Sequence, residues 1–147
     1  MLKRYLKNQK GLTLIELLAV VVILGVIAAI AVPSVFNIMN NSKKDAEVAN
    51  ANQLISSAKI LVANGTITTT KTETLANMVT DGVMDSVLKD PFTKAAYDTA
   101  EVVVTYDSTA NTFSYAVLLV AGAHGVYDGT TTKTAVSESS DLKASAH

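Results

Sequence analysis

The apolar positions of this chain change their spacing twice. From Leu12 to Phe36 they are nearly continuous, and Glu16 is the only charged residue among those 25. If helical, that stretch is about 37 Å long, enough to cross a hydrocarbon core of about 30 Å. Helix is the conformation a single span must take in lipid, because only a helix bonds every backbone group internally. The run Val20-Val21-Val22-Ile23 is therefore read as helix despite its β-branched side chains. Gly25 and Pro33 oppose a stiff helix, by about 1 and about 3 kcal/mol, and a bend near Pro33 is expected in an isolated chain.

Beyond Pro33 the spacing becomes that of an amphipathic helix. Ala51, Leu54, Ile55, Ala58, Leu61 and Val62 form one stripe, with Asn50, Asn52, Gln53, Ser57 and Lys59 assigned to the other faces. Asn64-Gly65 suits a left-handed C-cap. A helix over 12–63 would be about 78 Å long, more than a domain of this size can bury. Its first half must belong to a membrane or to a packed assembly.

From Thr66 the spacing changes again. Residues 66–70 read as a polar loop or short exposed strand. Thr74 or Thr72 is placed to cap a short helix through Leu75 and Val79, stopped at Asp81-Gly82. Asp90-Pro91 marks a turn. Residues 100–106 and 112–120 are the best strands, joined by a hairpin loop at 107–111. In the second, Phe113, Tyr115, Val117 and Leu119 alternate onto one face. Gly125-Val126-Tyr127 suggests a third short strand, and the Thr-, Ser- and Ala-rich tail from Thr130 reads as exposed and partly mobile. The expected class is α+β: a long N-terminal helix, transmembrane in its first half and amphipathic in its second, packed on a small antiparallel sheet.

Charge sharpens this picture. Lys3, Arg4, Lys7 and Lys10 precede the apolar run with no acidic residue among them, the positive-inside pattern of an end left in the cytoplasm. The remaining 136 residues carry eight basic against thirteen acidic side chains, and no basic cluster with interleaved aromatics suggests a nucleic-acid surface. There is no cysteine, which excludes thiol chemistry and cysteine-ligated metals and leaves the small domain to close its loops by packing alone.

Glu16 carries the functional information. A carboxylate at membrane depth costs about 2.5–3.5 kcal/mol on insertion scales, so such a group is expected to have a partner and a task. The run Lys10-Gly11-Leu12-Thr13-Leu14-Ile15-Glu16 and the apolar stretch after it resemble the processing and assembly signal of the type IV pilin superfamily. In that family a basic leader ends in Gly, a membrane peptidase cuts after it, and the new N-terminus is methylated. The resemblance implies cleavage between Gly11 and Leu12 and N-methylation of Leu12. Counted from Leu12, Glu16 is the fifth residue, Gly25 the fourteenth and Pro33 the twenty-second, the family's places for Glu, Gly and Pro. Leu12 stands where the family usually has Phe. The stretch Leu75–Phe92, ending in Asp90-Pro91-Phe92, is similar in layout to Gram-positive competence pilins and secretion pseudopilins.

This resemblance implies a leader at 1–11, a transmembrane and assembly helix at 12–35, and a pilin head at 36–147. Its partners would be other copies of the chain, the prepilin peptidase and methylase, an assembly platform and minor pilins. The cytoplasmic membrane would hold the precursor and a cell-surface filament the product. Nucleic acid enters only if the filament serves DNA uptake. No cofactor, metal or catalytic residue is expected: Asp98, Asp107 and Asp128 show no alternating ligand pattern for calcium, and His124 and His147 are too few for a metal or base argument. The leading expectation is a major pilin, ahead of a pseudopilin of type II secretion or competence. Two further readings remain. Ala29-Ile30-Ala31 fits an ordinary signal-peptidase site releasing a domain at Val32, and a single-pass anchor could hold a binding domain.

Overall fold

The computed structural model describes residues 13–122, 124–126 and 136–137. The chain divides into two units, Met1–Met39 and Asn40–His147. One helix, α1 (Leu14–Ala63), contributes to both.

In the first unit, α1 is helical without interruption through Gly25 and Pro33. None of the apolar side chains from Leu14 to Met39 is buried: Leu14 is 86% exposed, and Leu18, Ile23, Ile27, Ile30 and Phe36 are all more than half exposed. The segment is long and apolar enough to cross a membrane.

The second unit is α+β, as its pattern predicts. It contains the rest of α1, then β1 (Lys71–Thr74), α2 (Leu75–Thr80), β2 (Thr99–Asp107), β3 (Thr112–Ala121), β4 (His124–Val126) and β5 (Val136–Ser137). The sheet is antiparallel in the order β1-β2-β3-β4, and β5 also pairs with β3. The stripe on α1 meets one face of this sheet. Leu54, Ala58 and Leu61 join Val102, Val104, Val117, Leu119 and Val126, with Ile67, Leu75 and Met78 closing the cluster. Phe113 and Tyr115 lie against its margin, where Lys59 of α1 sits 5.4 Å over the Tyr115 ring.

The helix ends are built as the sequence suggests. Gly65 takes φ +73, its amide donates to the Val62 carbonyl, and the Thr66 amide donates to the Leu61 carbonyl. These are the two bonds of a Schellman cap. Thr74 caps α2, its hydroxyl accepting the Asn77 amide at 3.3 Å.

The structure refines these readings at four places. Residues 66–70 are the loop that the pattern allowed, and the strand follows at Lys71–Thr74, hidden from periodicity because its inward residue is the charged Glu73. Ser57, assigned to the outer faces, is buried at 5% exposure. The Thr-, Ser- and Ala-rich tail also supplies β5, which the pattern did not give, paired through Val136 and Ser137 to Val117 and Ala116. The third strand runs over His124–Val126, with Tyr127 outside the described residues.

Candidate functional site

Thr13 and Glu16 close the N-terminus of α1. The Glu16 carboxylate accepts the Thr13 amide at 2.7 Å and the Thr13 hydroxyl at 2.8 Å, and the Glu16 amide donates back to the Thr13 hydroxyl at 3.3 Å. This is a capping box: a residue before the first turn and a Glu three positions on satisfy each other's exposed donors. The Thr-x-x-Glu spelling at 13–16 signals this box in the sequence, although the carboxylate's charge is its more conspicuous property. The consequence for lipid is direct. A lone carboxylate with one oxygen already holding two donors is better tolerated at membrane depth than a bare one.

The remaining residues singled out by sequence are strung along the helix rather than gathered in a pocket. Gly25 and Pro33 lie about 14 and about 26 Å from Glu16 along the axis. A methyl group added at Gly25 would meet nothing within 4 Å. Nothing inside a single chain therefore requires glycine there. Gly11 and Leu12 lie outside the described residues.

The second unit holds four notable acidic groups. Glu73 is fully buried and pairs with Lys71 at 2.7 Å, which raises the pKa of that exposed lysine. Asp90, also fully buried, accepts the Phe92 amide at 3.1 Å and the Thr93 amide and hydroxyl at 2.8 and 2.6 Å. Asp107 accepts the Thr109 and Ala110 amides, which hold its carboxyl below the usual range. Glu47 is fully buried on α1 without a hydrogen-bond partner among the described residues, and burial with the nearby Asp90 charge pushes its pKa up to about 7. Burial likewise raises the Tyr97 hydroxyl to about 12. The sequence reading missed Glu47, although the stripe extended one turn upstream from Ala51 lands on it. Asp98 accepts the Gly122 amide at 2.8 Å, so it and Asp107 serve turns. Among the described residues, no three His, Asp or Glu side chains converge. His124's side chain, Asp128 and His147 lie outside the described residues.

Residues 6–32 match the family described as the prokaryotic N-terminal methylation motif. No solved structure matches the chain. The fold and the motif together define a membrane-length apolar helix joined to a small α+β unit and headed by a type IV prepilin-like leader. The motif supports a type IV pilin-like or pseudopilin protein, structural in kind, whose precursor a membrane anchor suits.

Proposed function

We propose that this protein is the major structural subunit of a type IV pilus. The leader 1–11 is removed between Gly11 and Leu12 by a prepilin peptidase, Leu12 is N-methylated, and residues 12–35 hold the precursor in the cytoplasmic membrane. An assembly platform, with minor pilins, then extracts it into a cell-surface filament in which 36–147 forms the exposed head. The protein acts as a substrate of these enzymes and as a building unit, with no catalysis of its own.

One observation carries this reading: the apolar stretch Leu14–Met39 of α1 buries no side chain and holds a single carboxylate, bonded at its N-terminus. In lipid, the side chains of 14–39 are already out of water, so the hydrophobic effect does not drive helices together there; packing and polar pairing do. A neighbouring copy's terminal amine offers Glu16 a charged donor in place of its own Thr13. Two charges that are costly alone in a medium of low dielectric become tolerable as a pair. This exchange sets the register of each incoming subunit. Once the subunits leave the membrane the hydrophobic effect takes over, because separating them would expose each Leu, Ile or Val at about 1.5–3 kcal/mol. Gly25 and Pro33 supply a stretch where neighbours can come close and the helix can loosen.

The test is Glu16→Ala in the native host. The variant is expected to stay membrane-inserted and correctly cut, as mass spectrometry of a mature chain starting at Leu12 would show, yet to yield few sheared filaments. Wild-type filament from that variant, or a mature terminus at Val32, would overturn the proposal. Electron microscopy separates the related readings, since long abundant fibres mark a major pilin and short scarce ones a pseudopilin.

A further inference from the structure

Glu47 stands out because neither of its carboxylate oxygens has a hydrogen-bond partner among the described residues, although the side chain is 0% exposed. It lies at the seam where α1 meets the loop between α2 and β2. Asn50, one turn further on, ties the same seam: its side-chain amide donates to the Lys89 carbonyl at 3.1 Å and to the Tyr97 hydroxyl at 3.0 Å. One turn earlier, Lys43 sits 5.4 Å over the Phe92 ring. The loop is folded back on itself by a bridge between Lys89 and Ala96, the Asp90 amide donating to the Ala95 carbonyl.

The charged and titratable groups that act on Glu47 are Lys44 on its own helix and Asp90 from the loop, with the Tyr97 hydroxyl in the same group. The two buried carboxyls are not equivalent. Asp90 receives three donors from Phe92 and Thr93, all of which favour its anion. Glu47 receives none from the described residues, and so it is the member that must give up its charge when the seam closes. Both of its oxygens are shut off from solvent. A hydrated cation therefore has no seat there, whereas a proton needs none.

We infer that Glu47 is a proton-operated latch between α1 and the loop. Protonated, it is a neutral acid that lies beside the Asp90 anion, and the loop stays closed over α1. Deprotonated, it confronts Asp90 as a second buried negative charge that Lys44 only partly offsets, and the seam opens around residues 88–97. The raised affinity of Glu47 for its proton places this change between weakly acidic and weakly alkaline conditions.

The experiment is amide hydrogen exchange on the full chain in detergent at pH 5 and pH 8.5, corrected for the intrinsic pH dependence of exchange. Protection of residues 88–97 is expected to fall on the order of tenfold or more at the higher pH, while β2 and β3 keep theirs. Glu47→Gln, which retains shape and cannot ionise, is expected to stay protected at both values. A wild type with unchanged protection, or a glutamine variant that loses it equally, would sink the latch. Calcium or sodium chloride restoring protection at pH 8.5 in the wild type alone would show a cation seat and overturn it too. Should the variant not fold, the carbon-13 shift of the Glu47 carboxyl in the wild type decides: a midpoint near neutrality supports the latch, one below about pH 5 refutes it.

Discussion

At the scale of single residues, the informative side chains are carboxylates set among apolar neighbours, and each has its own solution. Glu16 borrows donors from Thr13, Glu73 takes a lysine, Asp90 takes loop amides, and Glu47, with no donor among the described residues, has its pKa pushed up by burial. The last has a measurable consequence for stability. Its pKa is raised in the folded state to about 7 from 4.5 in the open chain, so the folded protein binds more protons across that interval. Stability from this group is therefore full below about pH 4.5, declines as pH rises, and is flat above about pH 7, with a total change on the order of 3 kcal/mol. Thermal melts followed by circular dichroism should show the second unit losing stability over that range in the wild type and much less in Glu47→Gln. A different residue tests backbone approach. A Cβ at Gly125 would collide with the Leu119 carbonyl oxygen across the β3–β4 pairing. Gly125→Ala is expected to cost about 1–3 kcal/mol in the same melts. An unchanged midpoint would mean that β4 shifts freely.

At the scale of elements, most of the fold was legible in the spacing of residues. The stripe at Ala51, Leu54, Ile55, Ala58 and Leu61 is buried as read, and the alternation in β3 places Val117 and Leu119 in the core. The caps at Gly65 and Thr74 followed from local chemistry that needs no tertiary context. What escaped did so for physical reasons. β1 turns Glu73 inward, and a periodicity of apolar residues cannot report a strand whose core position is an acid relieved by a neighbouring lysine. Ser57 was assigned outward by polarity and Glu47 was not singled out at all, whereas position on the helix decides the burial of both. β5 depends on a long-range pairing that two residues do not announce. At the proposed processing site the sequence carries the chemical argument, through the spacing of Gly11, Leu12 and Glu16, and the structure adds the bonds from Thr13 to Glu16. The helix–sheet contact has its own test. Leu54 is fully buried at the centre of the stripe. Leu54→Ala should lower stability by about 2–5 kcal/mol, whereas Ile60→Ala, at a position 48% exposed on the same helix, should change it by less than about 1.

At the scale of the whole molecule, the burial pattern separates what folds the chain from what would assemble it. Every buried side chain among the described residues lies at Glu47 or beyond, and none lies within Leu14–Met39. The core cluster of the second unit is drawn from that unit's own residues, and the second unit should fold by itself. A chain beginning at Asn40 retains the full stripe of α1, all the core residues and the seam at Glu47. It also begins well for a helix, since Asn40, Asn41 and Ser42 are all good capping residues, and Ser42 has Asp45 three positions on. Such a chain is expected to be soluble without detergent, monomeric by gel filtration, and to melt cooperatively. The full chain exposes an apolar face far larger than the few hundred Å² a soluble monomer carries and should need lipid, detergent or its own copies to cover it. If the shortened chain aggregated or lacked a cooperative transition, residues before Asn40 would have to hold the α+β unit together. The division of labour between an assembling helix and a self-sufficient head would then fail.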